Sequence, residues 1–301
     1  MATPAPKIGI ITGGASGMGL AVAKALAAKG WRLHLFDLNE ATGRAAESAV
    51  PGSSFSRVDV SSYEEQAAAF DRVFRAEGRL DFVFANAGIF EKGNFYDTAA
   101  GDASDGPPPP PPPPNEACID VNLKGVIRTT YLAQHYFRRS PHRGQGATII
   151  TTASVGGIYP QEFTPLYAAS KAGILHFTRT VARKLHADDG IRAHALCPAA
   201  VRTALLGDEV WSKHAAEHMT PLSTVTRAVE MLLLLGGVGR GGGEDVVVDS
   251  KGVVAGRDWG LVVELNVGNI YFRPDPEYCD DVLREIMTKT TTETMGDSHM
   301  K

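Results

Sequence analysis

One short stretch near the N-terminus restricts the fold more than any other part of the chain. An apolar run at residues 8–11 is typical of a buried strand, a glycine-rich turn follows at 12–19, and an alanine-rich segment at 20–29 predicts a helix that ends at Gly30. Such a turn places the free N–H groups of the helix start where they can face a pyrophosphate. The stretch therefore predicts a dinucleotide-binding βα unit, with a glycine-rich turn that binds nothing as the alternative.

Three glycines of this turn have separate geometric roles. Gly13 permits the tight turn, Gly17 lets the backbone approach a pyrophosphate, and Gly19 lets the helix pack closely against the strand. Their spacing, Gly-x-x-x-Gly-x-Gly, differs from the commoner dinucleotide fingerprint. We therefore expect a phosphate cradle of the same kind with a different spacing.

The end of the second predicted strand indicates which dinucleotide is bound. The strand covers residues 31–36 and leads into Asp37. A carboxylate there can accept both ribose hydroxyls of an adenosine and repels a 2′-phosphate. Neither Ser16 nor Leu38 supplies a cation that would offset this repulsion, and Arg44 is expected on the solvated face of the next helix. The sequence therefore favours NAD over NADP.

Strands and helices alternate along the rest of the chain. Because each predicted strand is apolar throughout, the sheet is expected to be parallel and covered on both faces. The further predicted strands are 55–60, 80–85, 147–151, 191–196 and either 260–266 or 246–248; the further helices are 63–76, 116–139, 165–187, 224–235 and 278–289. We expect an α/β fold, a single-domain, Rossmann-type, doubly wound parallel sheet of about seven strands over residues 1–275. The C-terminal helix and a disordered tail to residue 301 follow it.

Residues 101–115 interrupt this alternation. Eight consecutive prolines at 107–114 cannot join a sheet or continue a helix, so we expect an extended polyproline II segment. Because the alternation resumes afterwards with the same period, we interpret the segment as a low-complexity insertion in an exposed loop. A ligand for an SH3- or WW-type domain is the alternative. A second irregular segment, the glycine-dense 236–243, is predicted to be a flexible loop.

Composition argues against several classes of function. The formal net charge of -4 gives no electrostatic reason to expect nucleic acid or an anionic membrane as partner. The three cysteines, Cys118, Cys197 and Cys279, are too far apart for a metal site and are expected to be buried free thiols in a reducing compartment. The N-terminus has no apolar signal core, and the longest later apolar run, 231–235, is too short to span a bilayer. We therefore expect a cytoplasmic protein without a metal ion.

A tyrosine and a lysine one helical turn apart form the candidate catalytic pair. Tyr167 and Lys171 lie on one face of the predicted helix at 165–187. An ammonium beside a phenol favours the phenolate and lowers the pKa of the tyrosine, which can then exchange a proton with a substrate hydroxyl. Ser154, beyond the strand at 147–151, is placed to hold the same substrate oxygen. Alone, the pair is more often a surface phenol and a solvated cation, and Ser154 a hydroxyl that caps a turn.

In this order, the motifs resemble the short-chain dehydrogenase/reductase family, from about residue 7 to about residue 272. The resemblance implies a catalytic tetrad of Asn122, Ser154, Tyr167 and Lys171. It implies NAD as cofactor, with contacts from Gly13, Ser16, Gly17, Met18, Gly19, Asp37, Asp59, Val60, Asn86, Ala87, Gly88, Tyr167, Lys171, Pro198, Val201 and Thr203. Ala199 replaces the glycine that the family usually has after the proline, and Ala85 stands where asparagine is frequent. Segments 197–206 and 265–270 resemble the 15-hydroxyprostaglandin-dehydrogenase-like branch.

The resemblance also implies a role for each residue of the tetrad. Lys171 lowers the pKa of Tyr167 and holds the nicotinamide ribose, Ser154 stabilises the substrate oxygen, and Asn122 interrupts its helix slightly. Asn122 would also hold a water that links Lys171 to solvent. Two alternatives stay open: Asn122 as a polar residue on a helix surface, and Asp59 as the N-cap of the helix at 63–76.

The predicted function is reversible, NAD-dependent oxidation of a secondary alcohol to a ketone, with Tyr167 as the acid/base. A helical or mobile segment at 204–221 forms a lid, and its apolar members favour a hydrophobic small-molecule substrate: Leu205, Leu206, Trp211 and Met219. The alternatives are a biosynthetic ketoreductase and a non-catalytic dinucleotide-binding module. By resemblance, the helices at 116–139 and 165–187 pair two copies, so a homodimer or homotetramer is expected, with no nucleic-acid or membrane partner.

Overall fold

The computed structural model describes residues 5–98, 110–235, 248–253 and 255–290. At its centre is a sheet of eight strands in the order β3-β2-β1-β4-β5-β6-β7-β8. The strands are β1 (Ile8–Thr12), β2 (Arg32–Asp37), β3 (Ser53–Arg57), β4 (Phe82–Ala85), β5 (Thr148–Thr152), β6 (Arg192–Pro198), β7 (Val262–Asn266) and β8 (Asn269–Arg273). Strands β1 to β7 are parallel, and β8 pairs antiparallel with β7.

Helices cover both faces of the sheet. They are α1 (Gly17–Ala27), α2 (Glu40–Ala49), α3 (Tyr63–Glu77), α4 (Gly125–Arg139), α5 (Pro165–Asp189), α6 (Asp208–Trp211), α7 (Leu222–Leu234) and α8 (Asp281–Lys289). A π-helical turn, Ile119–Lys124, leads into α4, and two 3-10 turns lie at Val155–Gly157 and Ala216–His218. The predicted α/β, doubly wound, Rossmann-type architecture is confirmed.

The two faces of the sheet are buried against different helices because strand side chains point alternately to each face. In β1, Ile11 shares an apolar cluster with residues of α1 and α7, whereas Ile10 shares one with residues of α3, α4 and α5. Neither isoleucine is exposed. Burial of a side chain of this size stabilises the fold by about 1.5–3 kcal/mol. The sheet is therefore a rigid support for the loops at its ends.

The strand order reverses at β1. From β1 the chain proceeds outward to β2 and β3, and it then returns to β4 on the other side of β1. The loops that follow β1 and β4 therefore leave in opposite directions and open a crevice at the carboxyl ends of these strands. Ligands of doubly wound sheets bind in this crevice.

Two strands differ from the prediction. β3 begins at Ser53 and ends at Arg57, because Ser53 and Ser54 pair with β2 at the sheet edge, where polar side chains are tolerated. Asp59 therefore lies beyond the strand. β8 was not predicted at all. It follows β7 through a two-residue turn in which Val267 has a φ of 52°. A positive φ is rare for a β-branched residue, so no sequence signal indicated this turn.

Some predictions fall on residues outside the described ranges. They concern residues 101–109 of the proline-rich insertion, the loop at 236–243, residues 246 and 247 of the alternative strand, and the tail from residue 291. Prolines 110–114 are exposed and belong to no helix or strand, and β7 lies within the predicted 260–266. Among the described residues, no helix combines the length and apolar character needed to cross a bilayer.

Candidate active site

The glycine turn lies at the carboxyl end of β1, where the strand order reverses. Gly13 and Gly17 have φ values of 64° and 50°, which other residues rarely adopt. A Cβ added to Gly19 would lie 2.1 Å from the carbonyl oxygen of Gly13, so a side chain there does not fit. Ser16 is the exposed N-cap of α1 and makes no side-chain capping bond, and the half-buried Met18 follows it. The turn is a backbone cradle at a helix start.

The ends of β1, β4 and β5 are joined by side-chain hydrogen bonds. Thr12 Oγ1 accepts from the backbone N–H groups of Asn86 at 2.9 Å and Ala87 at 3.0 Å. Asn86 Nδ2 donates to the Thr12 carbonyl oxygen at 3.2 Å, and Thr152 Oγ1 donates to Asn86 Oδ1 at 3.2 Å. These bonds fix the floor of the crevice between the three strands.

Asp37 links the end of β2 to the glycine turn. Its Oδ2 accepts from the backbone N–H of Ala15 at 3.1 Å, and its Oδ1 accepts from the backbone N–H of Asn39 at 3.1 Å. An ionised carboxylate offers about four acceptor positions. The carboxylate can therefore hold the turn and still accept further donors at the rim of the crevice.

Asp59 does not cap the helix that follows it, so this alternative is wrong. The N-cap of α3 is Ser62, whose hydroxyl accepts from the Glu65 N–H at 3.2 Å. Asp59 Oδ1 instead accepts from the N–H of Ser61 at 2.8 Å. The neighbouring Val60 is buried. Both residues lie in the loop after β3, at the carboxyl edge of the sheet.

Asn122 is fully buried in the π-helical turn before α4, so its assignment to a helix surface is wrong. Its Oδ1 accepts from the Ile89 N–H at 2.8 Å, and its Nδ2 donates to the Ile89 carbonyl at 3.0 Å and to Ser170 Oγ at 3.1 Å. The predicted interruption of the helix is present. A Cβ on Gly88 would lie 3.1 Å from Asn122 Oδ1 and 3.5 Å from Lys171 Nζ, so a side chain there would crowd both groups.

Tyr167, Lys171 and Ser154 meet in a buried cluster. Tyr167 is 7% exposed and Lys171 is 4% exposed, so the pair is not a surface phenol with a solvated cation. Lys171 Nζ donates to the Thr152 carbonyl oxygen at 2.9 Å and lies 5.5 Å from the centre of the Tyr167 ring. Ser154 Oγ accepts from the Gly156 N–H at 3.1 Å, so this serine caps its turn and also faces the tyrosine.

The pKa of Tyr167 does not follow the prediction. Burial raises the pKa of Tyr167, a hydrogen bond with the Ser154 side chain lowers it, and the nearby Cys118 raises it. Burial also lowers the pKa of Lys171 to about 8. The prediction that Lys171 lowers the pKa of Tyr167 is wrong for this arrangement, because the ammonium is itself desolvated and donates to a backbone carbonyl.

The segment after β6 packs against the glycine turn. A Cβ on Gly17 would lie 2.9 Å from Thr203 Cγ2, so Thr203 lies directly over the turn. Trp211 of α6 is buried and donates from Nε1 to the Thr203 carbonyl at 2.9 Å. Pro198 ends β6, and Val201 is buried in the apolar cluster shared with α1. The predicted lid therefore consists of short helical turns anchored beside the crevice.

Two groups of side-chain contacts at the site were not predicted. The segment 89–91 contacts Asn122 and Tyr167 from the loop after β4. On the other side, Tyr159 donates to Glu264 Oε2 at 3.3 Å, and Arg273 of β8 donates to both Tyr159 and Glu264. Glu264 is buried, and this burial raises its pKa. No local sequence pattern connects these partners, because up to 114 residues separate them.

A cavity of about 580 Å³ opens between the loop after β4 and the loop before α5. Gly93, Asn94 and Tyr96 line it from the loop after β4, and Glu162 and Phe163 line it from the loop before α5. Phe163 is 69% exposed. The cavity therefore has aromatic walls beside the chain segments that hold Tyr167.

The three cysteines and the side chains that could bind a metal ion are candidates for a role at the site. Cys118 and Cys197 are buried free thiols, and burial raises the pKa of Cys197 to about 12. Cys279 is free but exposed, contrary to expectation, because it lies just before α8, which buries none of its residues. Within the described ranges, His, Cys, Asp and Glu side chains form no group of three or more that could hold a metal ion.

A doubly wound parallel sheet with a glycine cradle at its switch point and a buried Ser–Tyr–Lys cluster beside it defines a Rossmann-type oxidoreductase. The chain belongs to the short-chain dehydrogenase/reductase family, since the model described as short chain dehydrogenase matches residues 7–214. The prediction of this family is confirmed.

Comparison with known proteins gives the same family. The chain is 41% identical to the short-chain dehydrogenase/reductase prx7 of Penicillium rubens over 279 residues, 92% of this chain and 97% of that protein. It is 32% identical to human 15-hydroxyprostaglandin dehydrogenase [NAD(+)] over 207 residues, 66% of this chain and 70% of that protein. The crystal structure of levodione reductase superposes with a TM-score of 0.64 at 26% identity, covering 75% of this chain and 90% of that one.

Proposed function

We propose that the protein is an NAD-dependent oxidoreductase that interconverts a secondary alcohol and a ketone on a mainly apolar small molecule. The observation that carries this proposal is the buried cluster of Ser154, Tyr167 and Lys171 at the edge of the crevice above the glycine cradle. A buried phenol beside a hydroxyl and an ammonium is suited to proton transfer. Burying these ionisable groups lowers the stability of the fold, so their burial favours a functional role over a structural one.

The residues of the crevice fit a dinucleotide. The positive φ values of Gly13 and Gly17 shape the turn before α1, and the free N–H groups at the start of α1 suit a pyrophosphate. In this proposal Asp37 binds the adenosine ribose, Asp59 and Val60 bind the adenine, and residues 86–88 line the floor. The loop of Pro198, Val201 and Thr203 contacts the nicotinamide side.

Asp37 carries the proposed preference for NAD over NADP. Its carboxylate is held at the rim of the crevice by two backbone N–H groups, so it cannot move aside easily for a 2′-phosphate. Arg44, a cation of α2, pairs with Glu47 at 3.2 Å and Glu40 at 3.7 Å on the exposed face of that helix. The 15-hydroxyprostaglandin dehydrogenase relative is named for NAD(+).

In the proposed mechanism, the coenzyme supplies an acceptor for hydride at its nicotinamide ring. Ser154 orients the substrate oxygen, and Tyr167 takes the proton from the substrate hydroxyl in the direction of oxidation. Lys171 binds the nicotinamide ribose in this proposal, and its ammonium lies 5.5 Å from the centre of the Tyr167 ring. Asn122 fixes the loop at Ile89, and through Ser170 it also joins the helix that carries the pair.

The walls of the site support a proposal for the class of substrate. The aromatic side chains of Phe90, Tyr96 and Phe163 favour an apolar, flat or extended molecule beside Tyr167. A reductive, biosynthetic direction is the second candidate, because the levodione relative is named a reductase. A non-catalytic dinucleotide-binding module is the weaker alternative, since it needs none of the buried proton-transfer groups.

A second copy of the chain is the proposed partner. A groove of about 380 Å³ lies between the outer faces of α4 and α5, where Ile127, Tyr131 and Phe177 line it. Tyr131 is 61% exposed. We propose that the same groove of another copy covers this face, which yields a homodimer or, with a second contact, a homotetramer.

An assay of the full chain tests the proposed function. With NAD⁺ and a panel of hydrophobic secondary alcohols such as 2-octanol and 1-phenylethanol, absorbance of NADH is expected to increase. Fluorescence titration is expected to give tighter binding of NADH than of NADPH. Coenzyme binding without turnover in either direction would favour the non-catalytic module, and tighter NADPH binding would contradict the role of Asp37.

A further inference from the structure

The segment that leaves β4 holds the candidate site through three consecutive residues. Ile89 exchanges two backbone hydrogen bonds with the Asn122 side chain, at 2.8 and 3.0 Å. The ring of Phe90 lies 4.8 Å from that of Tyr167, centre to centre. Glu91 Oε2 accepts from the backbone N–H of Tyr167 at 2.8 Å. Two of the three contacts therefore act on Tyr167 itself.

The start of α5 depends on Glu91 because its own residues do not cap it. The N-cap Thr164 makes no side-chain capping bond, and its hydroxyl is buried without a hydrogen-bond partner. Pro165, the first helical residue, has no N–H. Tyr167 is the third helical residue, so its N–H is one of the groups that a cap normally satisfies. A carboxylate at this place also suits the helix dipole.

The position of the tyrosine backbone decides whether the phenol meets Ser154. The Ser154 hydroxyl belongs to the turn after β5, whereas the phenol is carried by the first turn of α5. A shift of the first turn of about 1 Å would move the phenol away from the hydroxyl, and displacements of this size reduce turnover by about a hundredfold.

We propose that Glu91 is a positioning residue: its carboxylate caps α5 from a different loop and thereby sets the distance between the Tyr167 phenol and Ser154. The inference rests on the proposed function of Tyr167. It assigns to Glu91 no contact with substrate or coenzyme. It also explains why the loop after β4 carries an acidic residue beside a buried aromatic cluster.

The chain contains a matched control for this capping bond. Asp280 caps α8, and its Oδ1 accepts from the N–H of Leu283 at 2.7 Å. Leu283 is the third residue of its helix, as Tyr167 is of α5. Asp280→Ala therefore removes a bond of the same kind from a helix that carries none of the candidate site residues.

Four variants of the full chain test the inference: Glu91→Ala, Glu91→Gln, Glu91→Asp and Asp280→Ala. Glu91→Ala removes the acceptor and is expected to lower kcat about a hundredfold with NAD⁺ and the best alcohol, while the Kd for NADH stays within about threefold. Glu91→Asp has a side chain one methylene too short and is expected to behave similarly. Glu91→Gln retains an acceptor oxygen and is expected to keep kcat within about threefold, as is Asp280→Ala.

A titration of Tyr167 gives a readout that does not depend on turnover. Fluorine NMR of protein labelled with 3-fluorotyrosine follows the phenol, with the Tyr167 signal assigned from its absence in Tyr167→Phe. In Glu91→Ala the pKa of Tyr167 is expected to rise, because the hydrogen bond with Ser154 that lowers it is lost. In Glu91→Gln and Asp280→Ala the pKa of Tyr167 is expected to match that of the unmodified chain.

The outcomes separate this inference from the proposed function. A Glu91→Ala protein with unchanged kcat and an unchanged Tyr167 titration would overturn the positioning role. A lowered kcat and a raised pKa of Tyr167 in Glu91→Gln as well would also overturn it. The charge of Glu91, rather than its capping bond, would then determine the rate. If the unmodified chain oxidises no alcohol, the proposed function fails, and the tyrosine titration still decides the role of Glu91. If Glu91→Ala does not fold, Glu91→Asp and Glu91→Gln give the same comparison.

Discussion

The two sides of the crevice are held in place by different kinds of contact. The turn side comprises residues 12–19, 37 and 86–88. Its geometry is set by positive φ values at Gly13 and Gly17 and by hydrogen bonds among its own residues, such as those from the N–H groups of Asn86 and Ala87 to the Thr12 hydroxyl. The tyrosine side comprises residues 154–171. Side chains from distant parts of the chain hold it: Glu91 is 76 residues from Tyr167, and Glu264 is 105 residues from Tyr159.

This difference predicts opposite sensitivities to substitution. The turn side should tolerate changes to remote side chains but no added Cβ, because nothing but glycine fits its closest approach. The tyrosine side should keep coenzyme binding intact when its remote partners are altered, while its rate of turnover falls. Coenzyme affinity and kcat are therefore expected to respond to separate sets of substitutions.

The largest expected effect on coenzyme affinity is on the turn side, at Gly19→Ala. The added Cβ would lie 2.1 Å from the Gly13 carbonyl oxygen, a backbone atom, so the turn must open. We expect the Kd for NADH to rise at least about thirtyfold, equivalent to about 2 kcal/mol. Gly268→Ala is the control, because an added Cβ there meets nothing within 4 Å. Unchanged NADH affinity in Gly19→Ala would remove the basis for a backbone-held turn.

A smaller effect is expected on the tyrosine side, at Tyr159→Phe. The substitution removes the hydroxyl that joins Arg273 and Glu264 but leaves the ring and the Arg273–Glu264 pair. The hydroxyl's two bonds, to Glu264 and from Arg273, are lost. We expect about 1 kcal/mol of this loss to reach the barrier through the turn that carries Ser154, which lowers kcat about fivefold with NADH affinity unchanged. Tyr271→Phe, on β8 with Arg273, is the control. A change confined to NADH affinity would show that the two sides are not separate.

The smallest measured change is expected in the thermal stability of the protein when the buried Lys171 is replaced. Burial lowers the pKa of Lys171 from 10.5 to about 8, which corresponds to about 3 kcal/mol against the charged form. Below pH 8 the lysine is protonated in both the folded and the unfolded state, so the full cost applies. Between pH 8 and 10.5 the unfolded state binds more protons, so the stability contributed by this group rises with pH.

Lys171→Met is therefore expected to raise Tm at pH 7 by about 3 °C, after allowance for the lost bond to the Thr152 carbonyl. The difference from the unmodified chain should shrink as the pH rises from 8 to 10.5. The exposed Lys24→Met serves as the control. A Tm difference that is independent of pH across this range would mean that Lys171 is not desolvated in the folded protein.

The turn side could be predicted from the sequence because its determinants are local. The strand, the three glycines and Asp37 lie within 30 residues, and each glycine is required by a backbone conformation or a close approach that the spacing itself indicates. The spacing of Tyr167 and Lys171 is local in the same way, since one helical turn separates them. The fold class followed from the alternation of apolar strands with helices for the same reason.

The contacts that hold the tyrosine side from outside could not be predicted because they are made between distant segments. Glu91 has no sequence spacing that relates it to Tyr167, and β8 depends on a turn at Val267 whose positive φ is unusual for its residue type. The direction of the Tyr167 pKa shift also depends on burial. The spacing of Tyr167 and Lys171, four positions apart on one helix face, suggested a stabilised phenolate, whereas the fold desolvates both groups.

The turnover of Tyr167→Phe tests the central claim most directly. The substitution keeps the ring that packs on Phe90 and removes only the proposed proton-transfer group. With NAD⁺ and the best alcohol, kcat is expected to fall at least about a thousandfold, while the NADH Kd from fluorescence titration stays within about twofold. A Tyr167→Phe protein that keeps a kcat near that of the unmodified chain would show that another group transfers the proton.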